Sequence, residues 1–375
     1  MNNIKPRILF ILHLPPPTHG ASMIGSYIKQ SSNIKEEFDA EFINLSTSTS
    51  LIQIGKAEIK KGVQFLRILL TVFKELLSKK YDLVYVTLTA SGPGFYKDVL
   101  VVCIIKLFRK KIVYHFHNKG VSNAKESYLN KTLYRFVFSN TKSILSSESL
   151  YKDFKKYLDI QNVYHCPYGI PSIGEVISED KKLKPGHWPL SFLFLSNMMR
   201  EKGVFDLLDA CENLNNKGLK FSCNFAGSWS DVSEMDFFEA VKKRKLENVV
   251  SVHGGKYGKE KSALFENADV FVFPTYYHYE SFPVVILEAM QFGLPVISTL
   301  EGGIPDAVLN GQTGFLVVQR DVKDLATKME LFIREPLLIK KMGDAGRKRF
   351  NNYFTIQHFQ DNLIKILKTT VQSTP

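Results

Sequence analysis

The sequence predicts an α/β protein made of two doubly wound domains, and three observations carry that prediction. Each half opens with an apolar strand, a polar loop containing glycine and a helical run, the first unit of a doubly wound domain. Later strands such as Val270-Phe-Val-Phe273, like Phe192-Leu-Phe-Leu195, are continuously apolar, as expected for strands buried on both faces of a parallel sheet. Finally, a chain of 375 residues is long for one hydrophobic core.

In the first half the opening strand runs from Arg7 to His13. The loop Leu14-Pro-Pro-Pro-Thr-His-Gly20 and a helix from Ala21 to Gln30 follow it. Strands are expected at Asp82 to Leu88, Lys111 to His117, Lys142 to Ser147 and Asn162 to Cys166, alternating with helical segments. Ile170 to Pro189, rich in charge, proline and glycine, reads as a linker. The second half repeats the opening pattern. Ser191 to Asn197 is the strand, Met198 to Gly203 the loop and Val204 to Asn216 the helix, closed by Lys217-Gly218. Strands are expected again at Lys220 to Ala226, Val249 to His253, Asp269 to Pro274, Pro295 to Thr299 and Gly314 to Val318. From about Asp321 the chain reads as helical, and Thr355 caps a last amphipathic helix carrying Phe359, Leu363, Ile366 and Leu367.

Composition narrows the function classes. The formal charge is +12, yet no nucleic-acid motif and no aromatic-basic interleaving occurs, so nucleic acid is not an expected partner. No apolar run reaches the ~18 residues that span a bilayer. The N-terminus passes through Lys5-Pro-Arg7 straight into a strand, so no secretory signal is expected. Cys103, Cys166, Cys211 and Cys223 lack paired C-x-x-C spacing and sit in apolar segments, the pattern of a reduced cytoplasmic protein without structural zinc.

The most informative stretch is Glu280-Ser-Phe-Pro-Val-Val-Ile-Leu-Glu288. Pro283 suits the first position of a helix that Gly293 stops, which puts Glu280 in the loop before it and Glu288 about a turn and a half inside. Between them the free amides around Phe282, Val284 and Val285 make an anion pocket. Two carboxylates that hold hydroxyls beside amides that hold phosphate suit a nucleotide sugar. Arg200 and Lys202, two residues apart at the head of a helix, are candidates for a diphosphate. Neither opening loop is G-x-G-x-x-G, so the dinucleotide fingerprint is absent.

With these flanks the chain resembles the GT-B-fold retaining glycosyltransferases, in particular glycosyltransferase family 4. The resemblance rests on Phe273-Pro-Thr-Tyr-Tyr-His-Tyr-Glu280-Ser-Phe-Pro through Glu288-Ala-Met to Gly293-Leu-Pro-Val-Ile-Ser298, similar to that family's E-x7-E block. It extends to Glu301-Gly-Gly-Ile-Pro-Asp306 and Asn310-Gly-Gln-Thr-Gly-Phe-Leu-Val317. The implied fold is two Rossmann-like domains facing across a cleft, with the last helix crossing back to the first. The implied boundaries are an acceptor-side domain over 1–170, a linker over 171–187, a donor domain over 188–352 and a returning helix over 353–375.

The resemblance also implies roles. Glu288 would receive the donor's ribose hydroxyls, and Glu280 would contact the donor sugar and stabilise oxocarbenium-like charge. Lys202 matches the family lysine. The family arginine position is occupied by Asn197, and Arg200 is expected to supply the lost guanidinium. Gly20 lies in the loop that reaches the donor phosphates. His117 matches the family's active-site histidine, and strand alternation places His115 on the same face. No D-x-D follows an apolar strand, so neither a metal nor another cofactor is expected. Cations and helix N-termini would serve the leaving group. The reaction implied is retaining transfer of a hexose-type sugar from a nucleotide-diphosphate donor to a lipid-linked or oligosaccharide acceptor, as in bacterial surface polysaccharide assembly. The alternatives weighed are a GT-B-fold nucleotide-sugar epimerase, a phosphorylase and a non-catalytic membrane-associated sugar-binding protein.

One further segment, Lys56 to Lys80, carries apolar residues at Ile59, Val63, Leu66, Leu70, Phe73 and Leu77, decorated with basic residues. The expectation for this helix as a whole is packing on the first domain's sheet with its lysines in water. A basic amphipathic helix also suits an anionic membrane surface, the inner face of the plasma membrane in this reading.

Overall fold

A computed structural model describes residues 5–17, 20–47, 59–172 and 189–373. Thr18, His19, Lys56 and all but the first two residues of the expected linker lie outside the described residues. The chain divides into two compact units, one of residues 1–169 with 356–375 and the other of 170–355.

The first unit contains β1 (Arg7–Leu12), β2 (Asp39–Asn44), β3 (Leu83–Leu88), β4 (Ile112–Phe116), β5 (Lys142–Leu145) and β6 (Val163–His165), all parallel in the order β2-β1-β3-β4-β5-β6. Its helices are α1 (Gly20–Gln30), α2 (Ser32–Glu37), α3 (Ile59–Ser78), α4 (Gly92–Leu107), α5 (Tyr128–Phe138) and the short α6 (Tyr151–Phe154). Central strands are buried on both faces: Ile8 to Leu12 are fully buried, as are Val84 to Val86. The sequence reading did not include β2. Its residues are mostly half-buried because it lies at the sheet edge, and its acids bond outward, Asp39 to Arg7 at 2.5 Å and Glu41 to Lys79 at 2.7 Å. An edge strand that carries two acids has no apolar run to announce it.

The second unit contains β7 (Leu190–Leu195), β8 (Phe221–Ala226), β9 (Val250–Val252), β10 (Val270–Phe273), β11 (Val296–Thr299) and β12 (Gly314–Val317). They are again parallel, in the order β12-β11-β10-β7-β8-β9. The helices are α7 (Val204–Asn216), α8 (Glu234–Lys243), α9 (Gly258–Glu266), α10 (Val284–Gln291), α11 (Ile304–Ala307), α12 (Val322–Arg334) and α13 (Leu337–Tyr353). Strand order reverses between β7 and β10, so the loops after these two strands flank the switch point, where doubly wound sheets bind ligands.

The final helix, α14 (Ile356–Gln372), belongs to the first unit. It buries Phe359, Leu363 and Leu367 completely, and Lys111 donates to the carbonyls of Val371 and Ser373 at 2.7 and 2.6 Å near its C-terminus. A cation there meets the unsatisfied last carbonyls and the negative end of the helix dipole.

One local feature needs a closer reading. The apolar stripe of α3 is not its packing face: Ile59, Val63, Leu66, Leu70, Phe73 and Leu77 are 41–90% exposed, while Ile68, Val72 and Leu76 are buried against the sheet. The helix is apolar on two faces, and the regular stripe is the outer one. Cys103, which sits in an apolar segment of the sequence, is exposed on α4.

Candidate active site

The loop after β7 turns through a short 3-10 helix, Arg200–Lys202, and ends at Gly203 with φ +83°. A Cβ on Gly203 would lie 2.3 Å from the Pro274 carbonyl oxygen, so only glycine lets this loop sit flush on the loop after β10. The Glu201 carbonyl seals the contact, accepting from the Tyr276 N–H at 2.8 Å and the Thr275 hydroxyl at 3.3 Å. The two loops that flank the switch point are therefore locked together by main chain.

That lock brings Lys202 to Glu280. The Lys202 Nζ lies 2.5 Å from a Glu280 carboxylate oxygen, with both side chains only 12% exposed. The ammonium also lies 4.3 Å from the Tyr277 ring centroid, over its face. Burial, then the neighbouring Glu280 charge, raises the Tyr277 phenol above its ordinary pKa, so the ring stays neutral. Behind Glu280 stands the turn after β11. Gly302, at φ +55°, would place a Cβ 2.3 Å from the Glu280 carbonyl oxygen, and the Gly303 N–H donates to Ser281 at 2.6 Å.

Pro283 is the N-cap of α10 rather than its first helical residue. Its ψ of 112° is extended, and its carbonyl accepts from the Ile286 N–H at 3.1 Å. A φ of −72° suits either position, so sequence alone does not separate them. No side chain caps this helix, and no acid lies in its first turn, which leaves the amides of Val284 and Val285 without an intrahelical acceptor. Phe282 is buried, its ring 5.9 Å from that of Phe354, so its side chain is committed to packing. Glu288 projects from α10, one oxygen 2.7 Å from the Lys261 Nζ of α9, both about one-quarter exposed.

The other cationic candidate is arranged differently. Arg200 is exposed, its guanidinium 4.8 Å over the Phe205 ring and its N–H bonded to Asp231 at 3.1 Å. Asn197 is exposed on the same loop. Lys202, not Arg200, is the cation paired with Glu280.

In the first unit, Gly20 is exposed at the start of α1, and a Cβ there would meet nothing within 4 Å. Packing within the protein does not demand glycine at this position. His117 follows β4, its Nδ1 2.6 Å from the Tyr168 hydroxyl and its ring 4.4 Å from that of His115. Alternation does put the two histidines on one face, but His115 is fully buried, 2.5 Å from the Tyr85 hydroxyl, and lines no open surface. Its burial pushes the imidazole pKa down to about 3, which keeps the ring neutral.

Several neighbouring residues were not singled out as candidates from sequence. Lys261 is distant in sequence from Glu288. Tyr277 is one of several tyrosines in its loop. Glu301, 8% exposed and bonded to the Gly302 N–H and Gln319 at 3.0 Å each, lies in a segment that the resemblance covers but was given no role of its own. Only the order of the strands brings these groups together.

Two parallel six-stranded sheets with these strand orders and flanking helices define the GT-B architecture. The solved structure of HepE from Anabaena, in complex with UDP, superposes with a TM-score of 0.73 at 16% identity, covering 97% of this chain and 100% of that one. Residues 177–349 match the family described as glycosyl transferases group 1. That match covers most of the second unit.

Among relatives, the capsular polysaccharide biosynthesis glycosyltransferase CapM of Staphylococcus aureus is 30% identical over 181 residues, 48% of this chain and 46% of that protein. The putative colanic acid biosynthesis glycosyltransferase WcaL of Salmonella typhimurium is 29% identical over 196 residues, 50% of this chain and 47% of that protein. These alignments span about half the length of each relative.

Proposed function

We propose that the protein is a glycosyltransferase of surface polysaccharide assembly. It moves a hexose-type sugar from a nucleotide-diphosphate donor to a lipid-linked or oligosaccharide acceptor, with retention and without a metal, at the cytoplasmic face of the membrane. The observation that carries this reading is the Lys202–Glu280 pair, 2.5 Å apart at the sheet's switch point, beside the uncapped start of α10. The polysaccharide setting is drawn from CapM and WcaL, and the uridine diphosphate donor class from the ligand of HepE.

The chemistry follows from what each group offers. A diphosphate brings negative charge that Lys202 and the amides of Val284 and Val285 neutralise, so the leaving group departs without a bound cation. Glu280, relieved of Lys202 when the diphosphate takes that ammonium, faces the sugar as an acceptor-only carboxylate and stabilises positive charge at the anomeric carbon. Glu288, with one oxygen held by Lys261, offers the other to ribose hydroxyls. Arg200 and Asn197 flank the diphosphate loop, and Gly20 and His117 keep the roles that the resemblance implies.

Thermal stabilisation by a panel of UDP-, GDP- and dTDP-sugars, followed by transfer assays, tests the reading. One nucleotide class should raise Tm, and Lys202→Met should abolish that shift. Glu280→Gln should retain nucleotide binding and lower transfer at least ~100-fold, the size expected when a group aimed at transition-state charge is removed. Release of an altered nucleotide sugar without acceptor would favour an epimerase. The absence of any nucleotide-dependent shift would overturn the reading.

A further inference from the structure

The crossovers β2–α3–β3, β3–α4–β4 and β4–α5–β5 all advance in one direction across the first sheet. Right-handed crossover then places α3, α4 and α5 on the same sheet face. Their neighbours are visible in contacts: Phe73 of α3 is 5.4 Å from Phe108 just after α4, and Tyr96 of α4 bonds Asn130 of α5 at 2.6 Å.

The outer surface of this layer is unusual for a soluble face. Of twenty-one large exposed hydrophobic side chains among the described residues, six lie on α3, three on α4 and three on α5. More than half therefore gather on three adjacent helices, where single scattered residues would need no explanation. Leu70 is 60% exposed, Leu107 72% and Tyr128 88%. The α4 ridge runs Tyr96, Leu100, Cys103, Leu107, a second apolar stripe at helical spacing.

Charge identifies the occupant. The three helices carry eight Lys and Arg residues and two acids. Of these acids Asp98 is fully buried and Glu75 is bonded to Lys79 and Tyr81. Exposed Arg67 and Lys74 lie along one rim of the α3 stripe, and Lys131 and Arg135 stand out on α5. A second copy of the chain meeting this face would set cations against cations. The apolar residues stand as ridges along helices, a shape that enters a deformable plane. We propose that the outer face of α3, α4 and α5 docks on an anionic lipid bilayer, with Leu66, Leu70, Leu100 and Leu107 at acyl depth and Arg67 and Lys74 among the headgroups. This deepens the membrane part of the function above, but it rests on the surface and not on the donor chemistry.

Cys103 supplies the probe, because the other three cysteines are buried and an exposed thiol in the α4 ridge takes an environment-sensitive dye. The full chain, labelled there, is mixed with phosphatidylcholine vesicles with and without phosphatidylglycerol. Co-flotation and a blue shift of the dye are expected only with the anionic vesicles. Arg67→Gln with Lys74→Gln should weaken binding about 30-fold, each basic residue near an anionic surface being worth about fivefold. Leu66→Gln with Leu70→Gln should weaken it ~10-fold or more. Lys365→Gln with Lys368→Gln, on α14, removes the same charge elsewhere and should leave binding unchanged. Flotation without a dye shift, equal loss in the α14 variant, or no binding to anionic vesicles overturns the proposal. Nucleotide-dependent Tm shifts measured on the same variants separate it from the donor reading, since either result stands without the other.

Discussion

The two units share a six-stranded parallel sheet yet treat polar groups at their strand ends in opposite ways. In the first, the histidines after and within β4 are paired with tyrosine hydroxyls, and the innermost is held neutral by burial. In the second, charges are kept and paired with each other, Lys202 with Glu280 and Lys261 with Glu288. Strand order accounts for part of this contrast. In the second sheet the Lys202 and Glu280 loops flank the switch point, whereas in the first the switch lies between β1 and β3 and His117 follows the next strand along. A sheet of one type thus yields a cluster of ion pairs or a neutral hydrogen-bonding cluster, depending on which loops its order brings side by side.

Breaking the charged pair is the largest perturbation available. Lys202→Met should lower kcat/KM for the donor by ~1,000-fold and lower stability by about 3–5 kcal/mol, because it leaves a carboxylate that is 12% exposed without its partner. Adding Glu280→Gln should restore much of the Tm while transfer stays lost. A double variant as unstable as Lys202→Met alone would show that the pair is not what couples the two loops.

Gly203→Ala comes next. The new Cβ would lie 2.3 Å from the Pro274 carbonyl oxygen at a φ of +83°, so the loops must part. A loss of about 2–4 kcal/mol is expected from strain and the displaced contact, read by chemical denaturation. Gly20→Ala, where space is open, should cost under about 1 kcal/mol. Equal losses would remove the distinction between a glycine fixed by packing and one that packing leaves free.

The neutral cluster is tested by acid. His115 has a folded pKa near 3 against an ordinary 6.5. Its stabilising contribution is therefore complete above pH 6.5 and is lost as pH falls toward 3, because the unfolded chain binds the proton that the folded one refuses. The limiting slope is about 1.4 kcal/mol per pH unit. His115→Asn should flatten stability against pH across that window, measured by urea melts at several pH values.

What was legible from sequence follows the same division. Strands buried on both faces and the β7 and β10 loops could be read because continuous apolar runs and glycine-bounded turns are local signals. Edge strand β2 was not, since its acids bond to residues distant in the chain. The α3 stripe could be read as a helix but not oriented, because a helix that is apolar on two faces has no periodicity to say which one packs. Glu280 and Glu288 stood out by spacing, while Lys261 depends on α9 lying beside α10, which no spacing records.

That last contact gives the smallest expected effect. Lys261 holds one Glu288 oxygen at 2.7 Å with both groups about one-quarter exposed, so the pair contributes little to stability. Its consequence is orientation. Lys261→Met should raise donor KM a few-fold, about 1 kcal/mol of positioning, with kcat and Tm nearly unchanged. Lys261→Arg, which can still bond the carboxylate, should recover most of the loss. If instead kcat falls with KM fixed, Lys261 acts in the transition state, and the charges of the second unit divide by reaction step and not by loop.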